Sequence, residues 1–282
     1  MPELPELVVL RDALEERIVD RRLVEGRPTR PGIVKTIDPP IDALAGERIA
    51  AAGRRGKHLI LTCRDDLHLV VHLMVAGRLV LCRSETRITK ATGFVLRFED
   101  GEDLRLIENG HVKRAKIHLV ADPLDVGWIA EAGPEALSPE SSIERLVDAF
   151  AGRRQQLKKV LTDQRTIAGI GTAYADEICF VAKLSPIRYV STLTEGEISE
   201  LWRAIGDVLT GAIDELRARS GRALPVAHER GFLRIHNKTG QPCPECGAKI
   251  AEIRYAQTRT YYCPQCQSGG AALRDRRAWL TR

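Results

Sequence analysis

The sequence predicts an α+β protein: an N-terminal helix and an antiparallel β-sandwich, then a helical domain that ends in a four-cysteine β-hairpin. Three observations carry this. Leu7, Leu10, Leu14 and Ile18 recur at three- and four-residue spacing over 4–18, the period of a helix with one buried face. From about 47 to 120, short β-type runs follow one another: HLILTC at 58–63, HLVVHL at 68–73, RLVLC at 78–82, FVLRF at 94–98 and KIHLV at 116–120. Turn-like RDD and EDGED segments separate them, as in a sandwich or barrel. Residues 141–220 then return to helical patterning, ahead of two Cys-x-x-Cys pairs.

Each element has its own signal. Pro5 suits a first helical turn, where its missing N–H costs nothing. Residues 121–140 include GPEALSPE, a proline-bearing stretch without periodicity, and the domain boundary belongs there. Thr194 and Glu197 form a capping-box pattern ahead of ISELWRAIGDVLTGAIDEL. A mixed polar and apolar loop over 220–238 leads into the cysteines. The division is 1–130 for the N-terminal domain, 131–140 for the linker, 141–230 for the helical domain and 231–282 for the cysteine module and a basic tail.

Composition sets limits. The chain has 282 residues, 44% of them apolar, and a net charge of +5, a mild lean toward a polyanionic partner. There is no apolar run of about eighteen residues, so no transmembrane helix is predicted. The start MPELPELVVLRDALEERI carries carboxylates early and is no signal peptide. A cytoplasmic protein without membrane association is expected. Of seven cysteines, Cys63, Cys82 and Cys179 stand alone in apolar segments and read as small buried hydrophobes.

The other four are different. Cys243-Pro-Glu-Cys246 and Cys263-Pro-Gln-Cys266 supply four thiolates at zinc-ribbon spacing. KIAEIRYAQTRTYYC between them reads as a β-hairpin. Four thiolates close a tetrahedral Zn2+ site and leave no open position, so one structural, non-catalytic zinc ion is expected. Zinc ribbons serve many functions, and this motif alone gives only a metal-stapled module.

In 157–182, two helical stretches flank Ala168-Gly169-Ile170-Gly171-Thr172. Backbone N–H groups at the second helix start can bind an anion. Arg153, Arg154, Lys158 and Lys159 lie upstream. The segment suits a phosphate backbone gripped without sequence readout. A helical packing element with a solvated basic face fits the spacing equally well.

The chain starts Met1-Pro2-Glu3-Leu4-Pro5-Glu6. This start, the DQ…AGIG…YADEI wording of the helical hairpin, the four-cysteine finger and Arg55-Gly56-Lys57-His58-Leu59 occur in order across nearly the whole chain. Together they resemble the formamidopyrimidine-DNA glycosylase/endonuclease VIII family, specifically its formamidopyrimidine-DNA glycosylase branch. The resemblance implies a helix-two-turn-helix domain, a C-terminal zinc finger, and a bifunctional DNA glycosylase/AP lyase of base excision repair. Double-stranded DNA with damaged bases or abasic sites is the implied partner. It would lie bent in a cleft between the two domains with one nucleotide extruded. The protein is expected to act as a monomer at the nucleoid.

The residues make chemical sense of this. Loss of Met1 exposes Pro2 as a secondary amine. An α-amino group titrates near 8, so a useful fraction is a neutral nucleophile that can attack the sugar C1′ and give a Schiff base. β-Elimination of the 3′ phosphate follows, then δ-elimination of the 5′ side. By resemblance, Glu3 is the proton donor that assists sugar-ring opening, with Glu6 supporting it at i+3. Lys57 contacts DNA and assists proton transfer, and Lys158 grips a phosphate. Asp and Glu are also common at helix starts, and Lys57 could simply be an exposed hairpin lysine.

The chain departs from the family in several places. The void left by a flipped base is usually filled by a methionine, an arginine and a phenylalanine. Here His72-Leu73-Met74-Val75-Ala76-Gly77 puts Val75 in the methionine's place and Met74 one residue early. Glu108-Asn109-Gly110-His111-Val112-Lys113-Arg114 replaces the arginine- and phenylalanine-bearing segment. Met74, His111 or Arg114 is the expected wedge, and ordinary packing or exposure is the alternative for Met74 and His111. After Gly171, Thr172 stands for an asparagine. Thr258 occupies the zinc-hairpin arginine's position with Arg259 beside it, and a strand's alternation makes a one-residue offset matter. A local bulge could restore the direction, and Arg259 is retained for phosphate binding and the second elimination. The 220–238 loop is shorter than the family's 8-oxoguanine cap. Formamidopyrimidine and 8-oxoguanine are the default substrates. Oxidised pyrimidines or abasic sites are the alternative, and a non-catalytic damaged-DNA binder is the alternative of another class.

Overall fold

The computed structural model describes residues 1–64, 66–220, 224, 230–255 and 258–274. Most of the 220–238 loop's first half and the last eight residues of the tail lie outside them. The chain divides into two compact units, 1–132 with 213–229, and 133–212 with 230–282.

The first unit begins with α1 (Leu4–Ile18). Glu3 caps it, and Pro5 and Glu6 fill its first turn. Leu7, Leu10, Leu14 and Ile18 are buried, as the periodicity predicts. Eight strands follow: β1 (Leu23–Pro28), β2 (Ile49–Arg55), β3 (His58–Cys63), β4 (His68–His72), β5 (Gly77–Arg83), β6 (Thr92–Phe98), β7 (Glu102–Glu108) and β8 (Lys116–Val120). They form two antiparallel sheets, ordered β1-β6-β7-β5 and β2-β3-β4-β8. Leu79, Phe94, Leu96, Leu104 and Leu106 of one sheet share a core with Leu59, Leu61, Leu69, Val71, Ile117 and Leu119 of the other, and with the α1 leucines. That is the sandwich the alternating runs predict. Cys63 is buried, but Cys82 is only half-buried.

On the opposite face of β2-β3-β4-β8, Val70 and Val120 pack against Val126 and Ile129, beside the short α2 (Gly127–Ala130). Alternation leaves His58, His72, Lys116 and His118 on that same face, because His72 pairs with Lys116 and Val70 with His118.

The second unit contains α3 (Ile143–Phe150), α4 (Leu157–Leu161), α5 (Thr172–Val181) and the start of α6 (Glu195–Arg219). Thr194 and Glu197 make the predicted capping box: Thr194 N–H donates to Glu197 Oε2 at 2.9 Å and Glu197 N–H to Thr194 Oγ1 at 3.3 Å. The units first part at 132/133. From Ile213 onward, however, α6 groups with the first unit, whereas the division read from the sequence keeps 141–230 in one helical domain. Nor is 133–136 a free connector. Ala168 N–H donates to Pro134 O at 2.8 Å and Gly133 N–H to Gln164 O at 2.9 Å. A Cβ at Gly133 would lie 2.4 Å from Arg165 O, so only glycine permits this approach. The cysteine module closes the unit with β9 (Ala251–Tyr255), β10 (Thr258–Tyr262) and α7 (Pro264–Ser268).

Candidate functional site

At the start of the first unit, Pro2 is buried and Glu3 is only 2% exposed. Glu3 and Glu6 form a reciprocal capping box, in which Glu3 N–H donates to Glu6 Oε2 at 2.8 Å. The peptide that follows Pro2 is therefore fixed by a carboxylate one turn along. Lys57 occupies the two-residue turn between β2 and β3, closed by the Arg55–His58 pair. It is buried, not an exposed hairpin lysine.

His58 and His72 are cross-strand neighbours whose rings stack at 4.4 Å, 29° from parallel. Burial, reinforced by His118, lowers the His58 pKa to about 4. Burial, with His58, Lys116 and Lys57 nearby, lowers His72 to about 3. Both rings are neutral at physiological pH and act as hydrogen-bonding groups, not as cations.

The turn after β4 is tight. Gly77 N–H donates to Leu73 O at 2.9 Å, and a Cβ on Gly77 would fall 2.2 Å from that oxygen. Met74 is held at φ +52 and half-buried, and the exposed apolar tip is Val75, at 61%. A second exposed valine, Val112 at 62%, lies on the loop after β7. The two loops are adjacent, since a Cβ on Gly110 would meet Ala76 Cβ at 3.4 Å. His111 and Arg114 are exposed on the same loop. Glu108 anchors its base: the buried carboxylate accepts from Arg114 N at 2.7 Å, Ala115 N at 2.9 Å and Arg30 Nη1 at 2.5 Å.

In the second unit, Gln164 shapes the turn between α4 and α5. Its Nε2 donates to Thr162 O and Ile170 O at 3.0 and 2.7 Å, and its Oε1 accepts from Gly169 N at 3.0 Å. Gly171 is the α5 N-cap and Thr172 is exposed on the first turn. A cavity of about 330 Å3 opens there, lined by Lys158, Lys159, Thr162, Thr172, Thr258 and Thr260 among others. Lys158 is buried. Its ammonium donates to Asp176 Oδ1 at 2.6 Å and to Arg259 O at 2.9 Å. Asp176 Oδ2 bonds His236 Nδ1 at 2.8 Å. Neighbouring Glu177 accepts from the N–H groups of Arg234, Ile235 and His236 at 2.8–2.9 Å. Burial still pushes its pKa up against those three donors.

The hairpin register is regular over the described residues: Thr258 pairs with Tyr255, Arg259 with Arg254 and Thr260 with Ile253. Thr258, Thr260 and Ile253 line the cavity. Alternation sends the exposed Arg259 side chain to the other face, and only its carbonyl serves the site. The bulge that would turn Arg259 inward does not appear among these pairs.

Cys243, Cys246, Cys263 and Cys266 bring their sulfurs within 4.8 Å of one another. The Cys243–Cys266 and Cys246–Cys263 sulfurs are 3.9 and 3.4 Å apart. Tetrahedral ligation at about 2.3 Å sets sulfurs roughly 3.8 Å apart, so the set fits one zinc ion. No helix among the described residues is long and apolar enough to cross a membrane.

Sequence reasoning missed Gln164, Asp176, Glu177, His236, Thr260 and Val112, and named Val75 and Thr258 only as occupants of positions where the family has other residues. The first three lay inside wording already noticed, without a partner to give them a role.

Family models match in order along the chain. The formamidopyrimidine-DNA glycosylase N-terminal domain matches residues 1–112, the formamidopyrimidine-DNA glycosylase H2TH domain 132–221, and the zinc finger found in FPG and IleRS 240–269. A formamidopyrimidine-DNA glycosylase of Desulforamulus reducens is 32% identical over 95% of this chain and 99% of its own. One of Desulfitobacterium hafniense is 34% identical over 95% and 100%. Among solved structures, Lactococcus lactis Fpg in complex with DNA containing an abasic site superposes with a TM-score of 0.85, at 28% identity over 94% of this chain and 99% of that one. MutM in complex with DNA containing carbocyclic 8-oxo-G gives 0.85 at 29% identity over 95% and 100%. The chain belongs to the formamidopyrimidine-DNA glycosylase family.

Proposed function

We propose that the chain excises oxidised bases from duplex DNA and nicks the strand through a Schiff base on Pro2. It is a DNA glycosylase of base excision repair, with AP-lyase activity at the same site. Formamidopyrimidines and 8-oxoguanine are its first substrates, and it works in the cytoplasm, at the nucleoid. The observation that carries the reading is the Pro2-Glu3 start, capped by Glu6, on a chain that matches an abasic-DNA complex over 94% of its length.

The chain's own residues divide the work. Once Met1 is removed, the neutral Pro2 nitrogen attacks C1′, the C1′–base bond breaks, and the base leaves with a proton. Glu3 donates a proton to the sugar-ring oxygen as the ring opens, leaving an iminium between Pro2 and C1′. Loss of a C2′ proton then expels the 3′ phosphate. Glu6 acts through the Glu3 N–H, orienting the peptide that carries the nucleophile. Lys57 and the neutral His72 face the strand near that centre. Val75 and Val112 are the apolar tips for the void left by the flipped nucleotide, with His111 and Arg114 beside them. Lys158, Lys159, Gly171 and Thr172 seat a backbone phosphate together with Thr258 and Thr260. One structural zinc, held by Cys243, Cys246, Cys263 and Cys266, keeps the hairpin folded. Strand nicking of an 8-oxoguanine duplex, abolished in Pro2→Gly with duplex binding retained, is the test. Nicking that survives Pro2→Gly would overturn the assignment.

A further inference from the structure

We propose that His236 is a positioning residue that keeps one N–H of the Lys158 ammonium available to a phosphodiester oxygen, acting through the buried carboxylate of Asp176. The inference rests on the reading of the Lys158–Thr172–Thr258 cavity as a phosphate seat.

Counting donors makes the case. An ammonium has three. One of Lys158's is used on Asp176 Oδ1 and a second on Arg259 O. Among the described residues no other acceptor bonds it, and Lys158 lines the cavity, so the third remains for a ligand. Asp176 is fully buried and needs donors on both oxygens. Oδ1 receives Lys158 and, at 3.3 Å, Tyr261 N–H. Among the described residues, Oδ2 receives only His236 Nδ1. An ionised carboxylate only accepts, so the His236 proton is on Nδ1.

The ring is held for this task. His236 N–H is fixed on Glu177, and the imidazole meets Tyr261 edge-on at 4.9 Å. Without the imidazole, Oδ2 would be a buried, unsatisfied acceptor. The side-chain donor already on that carboxylate is Lys158. Its third N–H would close on Oδ2, making the pair bidentate and withdrawing the ammonium from the phosphate. His236 therefore acts by occupying the second oxygen.

A double-mutant cycle on the full, zinc-loaded chain tests this, reading affinity for a duplex with a tetrahydrofuran abasic analogue across a salt series. Zinc content and Tm verify each variant's fold. Lys158→Gln, which still donates to Asp176, is expected to weaken binding about tenfold and to lower the salt slope by about 0.9. His236→Phe is expected to do the same, with no further loss when combined with Lys158→Gln. His236→Asn, whose amide can donate to Oδ2, is expected to bind like the wild type. If His236→Phe costs as much in the Lys158→Gln background as alone, or if His236→Asn fails like His236→Phe, the relay is overturned while the phosphate seat stands. If Lys158→Gln leaves the slope unchanged, the seat itself is wrong and the relay falls with it.

Discussion

Glu6 Oε2 lies 2.8 Å from the Glu3 amide nitrogen, so a carboxylate within the first helical turn holds the peptide bearing Pro2. Glu6→Ala removes the acceptor. It is expected to cost about 1 kcal/mol of stability, as for loss of a helix cap, and to slow single-turnover nicking by roughly tenfold through misplacement of the nucleophile. Glu6→Gln keeps a carbonyl oxygen in place and is expected to restore most of both. Urea melts and single-turnover assays check the pair.

The parity of the zinc hairpin gives a second prediction. Thr258 faces the cavity and Arg259 faces away. Thr258→Arg is expected to tighten binding to an abasic duplex, to steepen the salt slope by about 0.9, and to raise the share of δ-elimination product. Exchanging the two residues is expected to gain as much as Thr258→Arg alone. Equal binding by all three proteins would refute the assigned faces.

The stacked histidines predict acid sensitivity. Their folded pKa values, about 4 for His58 and about 3 for His72, lie below the ordinary value, so the unfolded chain binds more protons between about pH 6.5 and 3. Stability therefore rises with pH across that window. The contribution is complete above about 6.5 and is lost progressively as pH falls from there to about 4 for His58 and about 3 for His72, at up to about 1.4 kcal/mol per pH unit for each ring. Urea denaturation at pH 7, 5.5 and 4.5 measures it, and His58→Phe is expected to flatten the dependence.

Zinc removal tests the hairpin's role. Proline chemistry needs no divalent ion, so brief EDTA treatment that leaves zinc bound is expected to leave nicking intact. Cys263→Ala, which opens the site, is expected to lose zinc and duplex binding together, because Thr258, Thr260 and the Arg259 carbonyl are carried by the same hairpin. Zinc content measured beside binding decides it.

Some of this was legible in the sequence because the signal is local. Glu3 and Glu6 are three residues apart on one helix, and the four cysteines carry their ligand chemistry in their spacing. Other parts were not. Asp176 and His236 are sixty residues apart, and nothing in either neighbourhood names the other; burial alone makes the carboxylate demand its three donors. Thr258 and Arg259 differ only by strand parity, which the hairpin register decides. Met74 is a candidate wedge in the sequence because it is the family's residue type one position early; the turn at Gly77 leaves it half-buried and Val75 exposed. The last seven residues of α6, 213–219, group with the sandwich for a similar reason, since periodicity reports a buried face and not its partner.

Borohydride trapping tests the central claim most directly. The wild type and Pro2→Gly are incubated with duplexes carrying 8-oxoguanine, formamidopyrimidine, 5-hydroxyuracil or an abasic site, then reduced. A covalent adduct with the wild type, mapped by mass to the Pro2 nitrogen and absent from Pro2→Gly, is the predicted result, with the oxidised purines giving the most. No adduct on any duplex, with binding intact, would contradict the account and leave a damage-binding protein.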